Sequence, residues 1–87
     1  MATVVIPALL RKFTAGRERV DARGRTVGEI IADLDRRFPG FAQHLIEKGD
    51  LRHSVAVSID GELGTAGLLD AVGETSEVHF LPALSGG

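Results

Sequence analysis

Alternating apolar and polar residues at the start of the chain predict a β-hairpin. Residues 3–10 are rich in valine, isoleucine and leucine, which indicates a first strand. Residues 17–22 then alternate charged side chains with Val20 and Ala22, as a half-buried return strand does. Between them, residues 11–16 supply a turn with a glycine at its tip. The two segments are therefore predicted to pair.

The next segment carries a helical pattern with signals at both ends. Its apolar residues recur every three or four positions and form one stripe: Val27, Ile30, Ile31, Leu34 and Phe38. Thr26 and Glu29 fit a capping box, in which the hydroxyl accepts from an amide of the first turn and the carboxylate reaches back to the cap. Pro39 and Gly40 terminate the pattern. We predict one main helix over residues 26–38.

Weaker patterns follow the helix. Residues 41–47 predict a short second helical segment that turns Phe41, Leu45 and Ile46 toward the core. The next three residues, 48–50, are polar apart from a glycine, and we expect a loop there.

Strand patterns return in the second half of the chain. Residues 54–59 alternate between large apolar side chains, predicted to face inward, and the small side chains of Ser54, Ala56 and Ser58, predicted to face outward, as in a strand. Asp60-Gly61 is a strong signal for a two-residue hairpin turn, leading to a short strand at 62–63. A helical turn is predicted within residues 65–72, and a final strand over residues 77–81.

The predicted order is strand, strand, helix, strand, strand, short helix, strand. A hairpin, a helix laid across the sheet and three more strands predict the α+β class and a β-grasp fold, with a mixed sheet and one main helix packed across it. In that fold the last strand runs centrally beside the first. Because Pro82 has no N–H to give a ladder, we expect a domain over residues 1–81 and a flexible tail over residues 82–87.

The tail ends in Gly86 and Gly87. Glycine has no Cβ, so two in succession make a thin and adaptable chain end. Six extended residues reach roughly 20 Å, enough to enter a deep site on another protein. These features predict that the carboxylate of Gly87 is the reactive group, although a terminal glycine pair also arises by chance in floppy ends.

Composition removes several classes of function. The net charge is −2 with both signs mixed along the chain, which argues against a nucleic-acid surface. No apolar run approaches the roughly 20 residues of a membrane span, and no signal peptide precedes the fold, so we expect a cytoplasmic protein. The absence of cysteine excludes disulfides, thiolate catalysis and cysteine-based zinc sites.

Titratable side chains show no pattern of an active site. His44, His53 and His79 are scattered, and none pairs with another at helical spacing, so no metal site is predicted. The carboxylates also lack any pairing suited to acid–base chemistry, and most are expected on solvated faces: Asp33, Asp35, Glu47, Asp50, Asp60 and Glu62.

Apolar residues on the outer face of the predicted sheet suggest a docking surface. If the first and last strands pair, Val5, Pro7 and Leu9 adjoin Leu81. An exposed apolar patch beside a tail is the kind of surface to which an activating enzyme docks. The pattern equally allows the second helical segment or a loop to cover these residues.

The chain resembles the ThiS/MoaD family of ubiquitin-like sulfur carriers over nearly its whole length. The resemblance rests on a small cysteine-free β-grasp, the capped helix at 26–38, the VHFLP strand at 78–82 and the terminal Gly86-Gly87. Within the family, residues 6–11 (IPALLR) and 81–83 (LPA) are most similar to the carriers of an actinobacterial cysteine-biosynthesis pathway.

This resemblance implies chemistry that partner enzymes catalyse. An E1-like adenylyltransferase and sulfurtransferase would use ATP to adenylate Gly87, and sulfide or an enzyme persulfide would then leave a thiocarboxylate there. A downstream pyridoxal-phosphate synthase would accept the sulfur, and a metallopeptidase would release the product. The chain itself would bind no cofactor or metal. The residues expected to contact partners are Val5, Pro7, Leu9, Leu81, Pro82, Ala83, Leu84, Ser85 and Gly86.

Other functions are compatible with the same sequence. The chain would serve equally as the small subunit of molybdopterin synthase, or as a carrier for thiamin or secondary-metabolite sulfur. A ubiquitin-like modifier would use the same glycine end to form an amide with a lysine of another protein. A plain β-grasp interaction module would not use the end at all.

Overall fold

The computed structural model describes residues 1–83, and its elements follow the periodicities of the sequence. In chain order the regular elements are β1 (Ala2–Val5), β2 (Arg19–Ala22), α1 (Val27–Arg37), β3 (Ile46–Glu47), β4 (Asp50–Leu51), β5 (Val55–Ile59), β6 (Glu62–Leu63) and β7 (Glu77–Pro82). Three short 3-10 helices lie between them, at Ala8–Phe13, Ala42–His44 and Gly67–Leu69.

Five of the strands form one mixed sheet in the order β2-β1-β7-β5-β6. β1 pairs with β2 antiparallel and with β7 parallel, whereas β5 pairs antiparallel with both β7 and β6. The last strand is therefore central and lies beside the first. This topology confirms the predicted α+β class and β-grasp fold.

The core lies between the sheet and α1. Val27, Ile30, Ile31 and Leu34 are fully buried on the helix, as their spacing predicts, whereas Phe38 is only partly buried. Facing them are buried side chains of the sheet and of the segment after the helix: Val4, Ile6, Val20, Val57, Val78, Phe80, Phe41 and Leu45. Burial of this apolar stripe fixes the helix across the sheet.

The start of α1 uses the predicted cap with one change of partner. The Thr26 hydroxyl accepts from the Glu29 amide at 3.2 Å, as expected. The Glu29 carboxylate reaches back to the Arg25 amide at 2.9 Å, one residue before the cap. The first interaction satisfies an amide of the first helical turn, and the second pairs the amide of the residue that precedes the cap, so the two side chains still act reciprocally.

The first strand is shorter than predicted. β1 ends at Val5 and Ala8–Phe13 form a 3-10 helix, so the predicted strand over residues 3–10 is wrong in its second half. Pro7 precedes that helix with φ −60° and has no N–H for a sheet ladder. The Ile6 amide still donates to the Glu18 carbonyl at 2.7 Å, after which the chain leaves the sheet.

A second small sheet forms around the predicted loop: residues 48 and 49 make its turn and Asp50 begins β4. The predicted helical segment over residues 41–47 is wrong at its end, because Ile46 and Glu47 form β3 and only Ala42–His44 are helical. β3 and β4 pair antiparallel, with Ile46 opposite Leu51 and Glu47 opposite Asp50. The two residues between them have positive φ, 53° at Lys48 and 79° at Gly49, which is the geometry of a tight two-residue hairpin. The segment lacks the apolar alternation by which strands are recognised in sequence.

The last strand runs one residue further than predicted, through Pro82. Pro82 lies opposite Val55, in a pair that exchanges no hydrogen bonds, because the Ala83 amide donates to the Ser54 carbonyl at 2.9 Å. The absence of an N–H on Pro82 therefore removes no hydrogen bond to β5. β1, the neighbour on its other side, has already ended, so the proline does not terminate the strand.

Asp33 is buried, although its position off the apolar stripe predicted a solvated carboxylate. It accepts from the Arg23 amide at 3.0 Å and pairs with the guanidinium groups of Arg36 and Arg37. The hydrogen bond from Arg23, together with the two arginines, holds the pKa of Asp33 below its ordinary value of 3.8. This carboxylate ties α1 to the end of β2.

Replacing Asp33 with alanine should lower the free energy of unfolding by about 2 kcal/mol at pH 7, since a buried amide and two guanidiniums lose a charged acceptor. The folded pKa lies below the unfolded one, so this stabilisation is present above pH 3.8 and is lost as the pH falls through the folded value. Urea unfolding at pH 7 and pH 3 measures the difference. Glu62→Ala, at an exposed position, is the control; equal effects of the two variants at pH 7 would contradict the assignment.

Candidate functional site

The final described residues of the chain are held at the edge of an apolar groove. Leu81 and Pro82 complete β7, and the Ala83 amide after them donates to the Ser54 carbonyl. Four predicted site residues follow and lie outside the described residues: Leu84, Ser85, Gly86 and the reactive terminus Gly87. The described structure therefore contains the base of the tail.

We call the cavity beside this point the tail-base groove; its volume is about 160 Å³. The residues that line it lie in or next to the first two 3-10 helices and strands β5 and β7: Pro7, Leu9, Leu10, His44, Leu45, Ser54, Val55, Phe80, Leu81 and Pro82. No carboxylate is among these residues. The groove combines apolar walls with a single titratable group, the imidazole of His44.

The predicted docking residues divide between two surfaces. Pro7, Leu9 and Leu81 line the tail-base groove, and Leu9 is 86% exposed while Leu81 is 39% exposed. Val5 does not line it; it lies half-buried on the sheet, opposite Arg19 on one side and His79 on the other. The prediction that Pro7 and Leu9 extend the outer sheet face is wrong, because the chain has already turned into the 3-10 helix.

The groove has a basic margin, which we define as Lys12, His44 and Arg52. The His44 ring stacks on Phe13 with centroids 3.8 Å apart, and the Lys12 ammonium lies 5.3 Å from the centroid of the same Phe13 ring. Arg52 donates to the carbonyl of Gln43, next to His44, at 2.8 Å. These three groups are distant in sequence, and no motif in the sequence marks them as neighbours.

The outer face of the sheet carries a separate polar network next to Val5. His79 Nε2 lies 2.6 Å from Glu77 Oε1, and Arg19 lies 3.5 Å from Glu77 Oε2. The hydrogen bond with His79, and then the positive charge of Arg19, hold the pKa of Glu77 below its ordinary value. These interactions favour the charged form of the Glu77 carboxylate, so the outer sheet face beside Val5 is polar at this point.

Asp60 binds the first residue of β7, at the end of the strand opposite the tail. Its carboxylate accepts from the Glu77 amide at 2.9 Å and from the Ser76 hydroxyl at 2.8 Å. The first of these bonds makes the larger contribution to lowering the pKa of Asp60 below its ordinary value. Asp60 has φ 52° in the hairpin turn, where aspartate is among the better tolerated residues. The role of Asp60 is to fix where the tail-bearing strand begins.

Within residues 1–83, no three histidine, cysteine or acidic side chains converge as metal ligands would. In the same part of the chain, every helix falls short of the length and apolarity that a bilayer crossing needs. The apolar walls of the groove and the basic groups at its margin suit it to binding another molecule.

Comparison with known proteins gives one consistent answer. A model of the ThiS family matches residues 4–87. The sulfur carrier protein CysO of Mycobacterium tuberculosis is 34% identical over 90 residues, which cover 98% of this chain and 97% of the relative. A chain in the crystal structure of the Amycolatopsis orientalis BexX/CysO complex superposes with a TM-score of 0.92 at 35% identity, covering both chains fully.

A second kind of relative has the same fold. The solution structure of small archaeal modifier protein 1 from Methanosarcina acetivorans superposes with a TM-score of 0.78 at 27% identity. The match covers 99% of this chain and 95% of that protein. Sulfur carriers and a protein modifier thus share one architecture with the chain described here.

Proposed function

This chain belongs to the ThiS family of sulfur carriers, and from that membership we propose that its Gly87 carboxylate is adenylated and then converted to a thiocarboxylate that donates sulfur. The observation that carries the proposal is the family match, which extends over residues 4–87 and so includes the terminal glycine pair. The resemblance to CysO within the family is confirmed by the full-length likeness.

The activation step makes a poor electrophile reactive. The Gly87 carboxylate attacks the α-phosphorus of ATP and pyrophosphate leaves, which produces an acyl adenylate. Hydrosulfide then attacks the carbonyl carbon and AMP leaves with the electron pair of the broken C–O bond. The product is a thiocarboxylate, and no oxidation or reduction takes place. An E1-like partner supplies the nucleotide and the catalytic groups.

The domain itself contributes recognition and delivery. Thiocarboxylic acids ionise more readily than a cysteine thiol, whose pKa is about 8.5, so the sulfur is a nucleophile without help from a base on this domain. Homologues of the chain are small ubiquitin-like carriers rather than catalysts, which agrees with this division of labour. The tail-base groove and its basic margin are suited to hold the activating partner.

We further propose that the sulfur enters cysteine or a related biosynthetic product in the cytoplasm. The relatives named CysO support the cysteine route, with a pyridoxal-phosphate synthase as acceptor and a metallopeptidase as the enzyme that frees the product. The BexX/CysO complex supports an alternative in which a carrier of this kind binds a different partner protein. Molybdopterin synthase and thiamin formation are further destinations for a ThiS-family carrier.

One observation favours a second function. The likeness to a small archaeal modifier protein means that the same fold and end are compatible with conjugation to lysines. In that case the acyl adenylate would be attacked by an amine in place of hydrosulfide.

Incubation of the chain with ATP, hydrosulfide and its adenylating enzyme distinguishes these functions. We expect AMP release in equal amount to the chain and a single band on a denaturing gel, even with lysine-rich proteins present. A ladder of larger conjugates would show that the chain acts as a protein modifier and not as a sulfur carrier. A chain that lacks Gly86 and Gly87 is the control, and a plain interaction module would keep its partner binding in that form.

A further inference from the structure

We infer that the tail-base groove recognises an acidic segment of the adenylating partner, in which one apolar side chain enters the groove between flanking carboxylates. The inference rests on the proposed function and adds the chemistry of the partner to it. Its first support is position. Leu81 and Pro82 line the groove and also lead directly into the tail, which places the groove next to the point where the enzyme receives the chain end.

The second support is the uneven distribution of charge along the molecule. The chain has no lysine or arginine after Arg52, while five carboxylates follow it: Asp60, Glu62, Asp70, Glu74 and Glu77. Three of them line a cavity beside Ile59, Leu63 and Ala71, near the start of β7. The tail-base groove, at the opposite end of β7, has no acidic side chain among the described residues that line it and has a basic margin instead. The two ends of the tail-bearing strand thus have opposite charge.

The third support is the availability of the basic groups. Within residues 1–83, the Lys12 ammonium makes no ion pair, and Lys12 is exposed. Arg52 binds the Gln43 carbonyl through Nε and Nη2, which fixes the guanidinium at the margin and leaves Nη1 3.7 Å from the carboxylate of Glu47. The Arg52 guanidinium is thus ion-paired with Glu47 and held in place by the Gln43 carbonyl, and its remaining N–H groups are oriented to donate to a carboxylate of a partner.

The apolar part of the site provides the anchor. Leu9 is 86% exposed and lines the groove together with Pro7, Leu10 and Leu81, so it belongs to a contiguous apolar surface. A desolvated apolar contact surrounded by complementary charges is the common organisation of a protein interface, in which the charges raise the association rate and set the orientation. The basic margin therefore selects an acidic partner segment, and Leu9 supplies contact area.

The test is the steady-state kinetics of adenylation with the adenylating enzyme of the same organism as probe. For the Lys12→Glu/Arg52→Glu double variant we expect KM to rise about tenfold or more and kcat to stay within about twofold. Added salt should raise the wild-type KM and have little effect on that of the variant. Arg25→Glu makes the same type of charge change at an exposed site near the opposite end of the sheet, and we expect no change in its KM.

The single variant Lys12→Glu covers the case in which loss of the Arg52 contacts perturbs the fold. The Lys12 ammonium makes no ion pair within residues 1–83, so we expect this variant to fold normally. An unchanged KM for this folded variant, or a wild-type KM insensitive to salt, overturns the inference while leaving the carrier function intact. A wild-type chain that is never adenylated instead overturns the proposed function.

Photo-crosslinking identifies the occupant directly. With p-benzoylphenylalanine in place of Leu9, the crosslinked peptide should come from the adenylating enzyme and contain aspartate or glutamate. A crosslink to the tail of the same chain, to a second copy of the chain, or to a basic segment of the enzyme would each overturn the inference.

Discussion

Replacing Ile31 with aspartate is expected to unfold the chain. Ile31 is fully buried on the core face of α1, and within residues 1–83 no basic side chain is among the buried residues of the core. An unpaired carboxylate in such a place costs several kcal/mol. That is a large share of the roughly 5–15 kcal/mol by which domains of this kind are stable. Loss of the dispersed amide NMR spectrum and of the cooperative urea transition would report the effect.

The neighbouring position provides a matched control. Ala32 is exposed on the same helix, so Ala32→Asp adds the same carboxylate at nearly the same point of the chain and should leave the fold intact. A folded Ile31→Asp variant with a stability equal to that of Ala32→Asp would mean that the core of the molecule is elsewhere.

Replacing Gly87 with valine should abolish adenylation while leaving the fold unchanged. The reacting carboxylate must enter a channel suited to a residue without a Cβ, and a branched side chain next to it prevents the in-line approach to the nucleotide. Displacement of a reacting group by about 1 Å is enough to lower a rate about a hundredfold, so we expect at least that loss. ATP–pyrophosphate exchange with the adenylating enzyme measures it.

Ser85→Val is the appropriate comparison for this prediction. It introduces the same side chain two residues earlier, where the proposed channel meets a residue that already has a Cβ. We expect a much smaller loss for Ser85→Val than for Gly87→Val. Similar rates for the two variants would remove the steric argument for the glycine end.

Much of the fold is predictable because its strongest elements are amphipathic. The stripe of α1 and the alternation of β5 report burial directly, and Asp60-Gly61 forms its hairpin from local turn chemistry. Together these elements determine the topology, and the central position of β7 follows from it.

The misassigned segments depend on contacts distant in the sequence or on hydrogen bonding. Residues Ala8–Phe13 have strand-like composition, but the lack of a ladder partner at Pro7 lets them form a 3-10 helix. Asp33 lies off the apolar stripe, and the Arg23 amide makes its burial favourable. Hydrophobic periodicity contains no information on such polar pairing.

The candidate site also has one part that can be predicted from the sequence and one part that cannot. The glycine pair and the strand before it are visible in the sequence, because their chemistry is local. The basic margin depends on the stacking of Phe13 with His44 and on the contact between Arg52 and Gln43, which only the folded chain brings together. The position of His44 beside the groove therefore cannot be predicted from the sequence.

Mass spectrometry of the intact chain tests the central claim most directly. After incubation with ATP, hydrosulfide and the adenylating enzyme, the mass should increase by one oxygen-for-sulfur exchange, and fragmentation should assign that exchange to Gly87. A chain with an amidated C-terminus should stay unchanged. An unmodified Gly87 in a reaction that consumes ATP, or sulfur transfer by the amidated chain, would contradict the account.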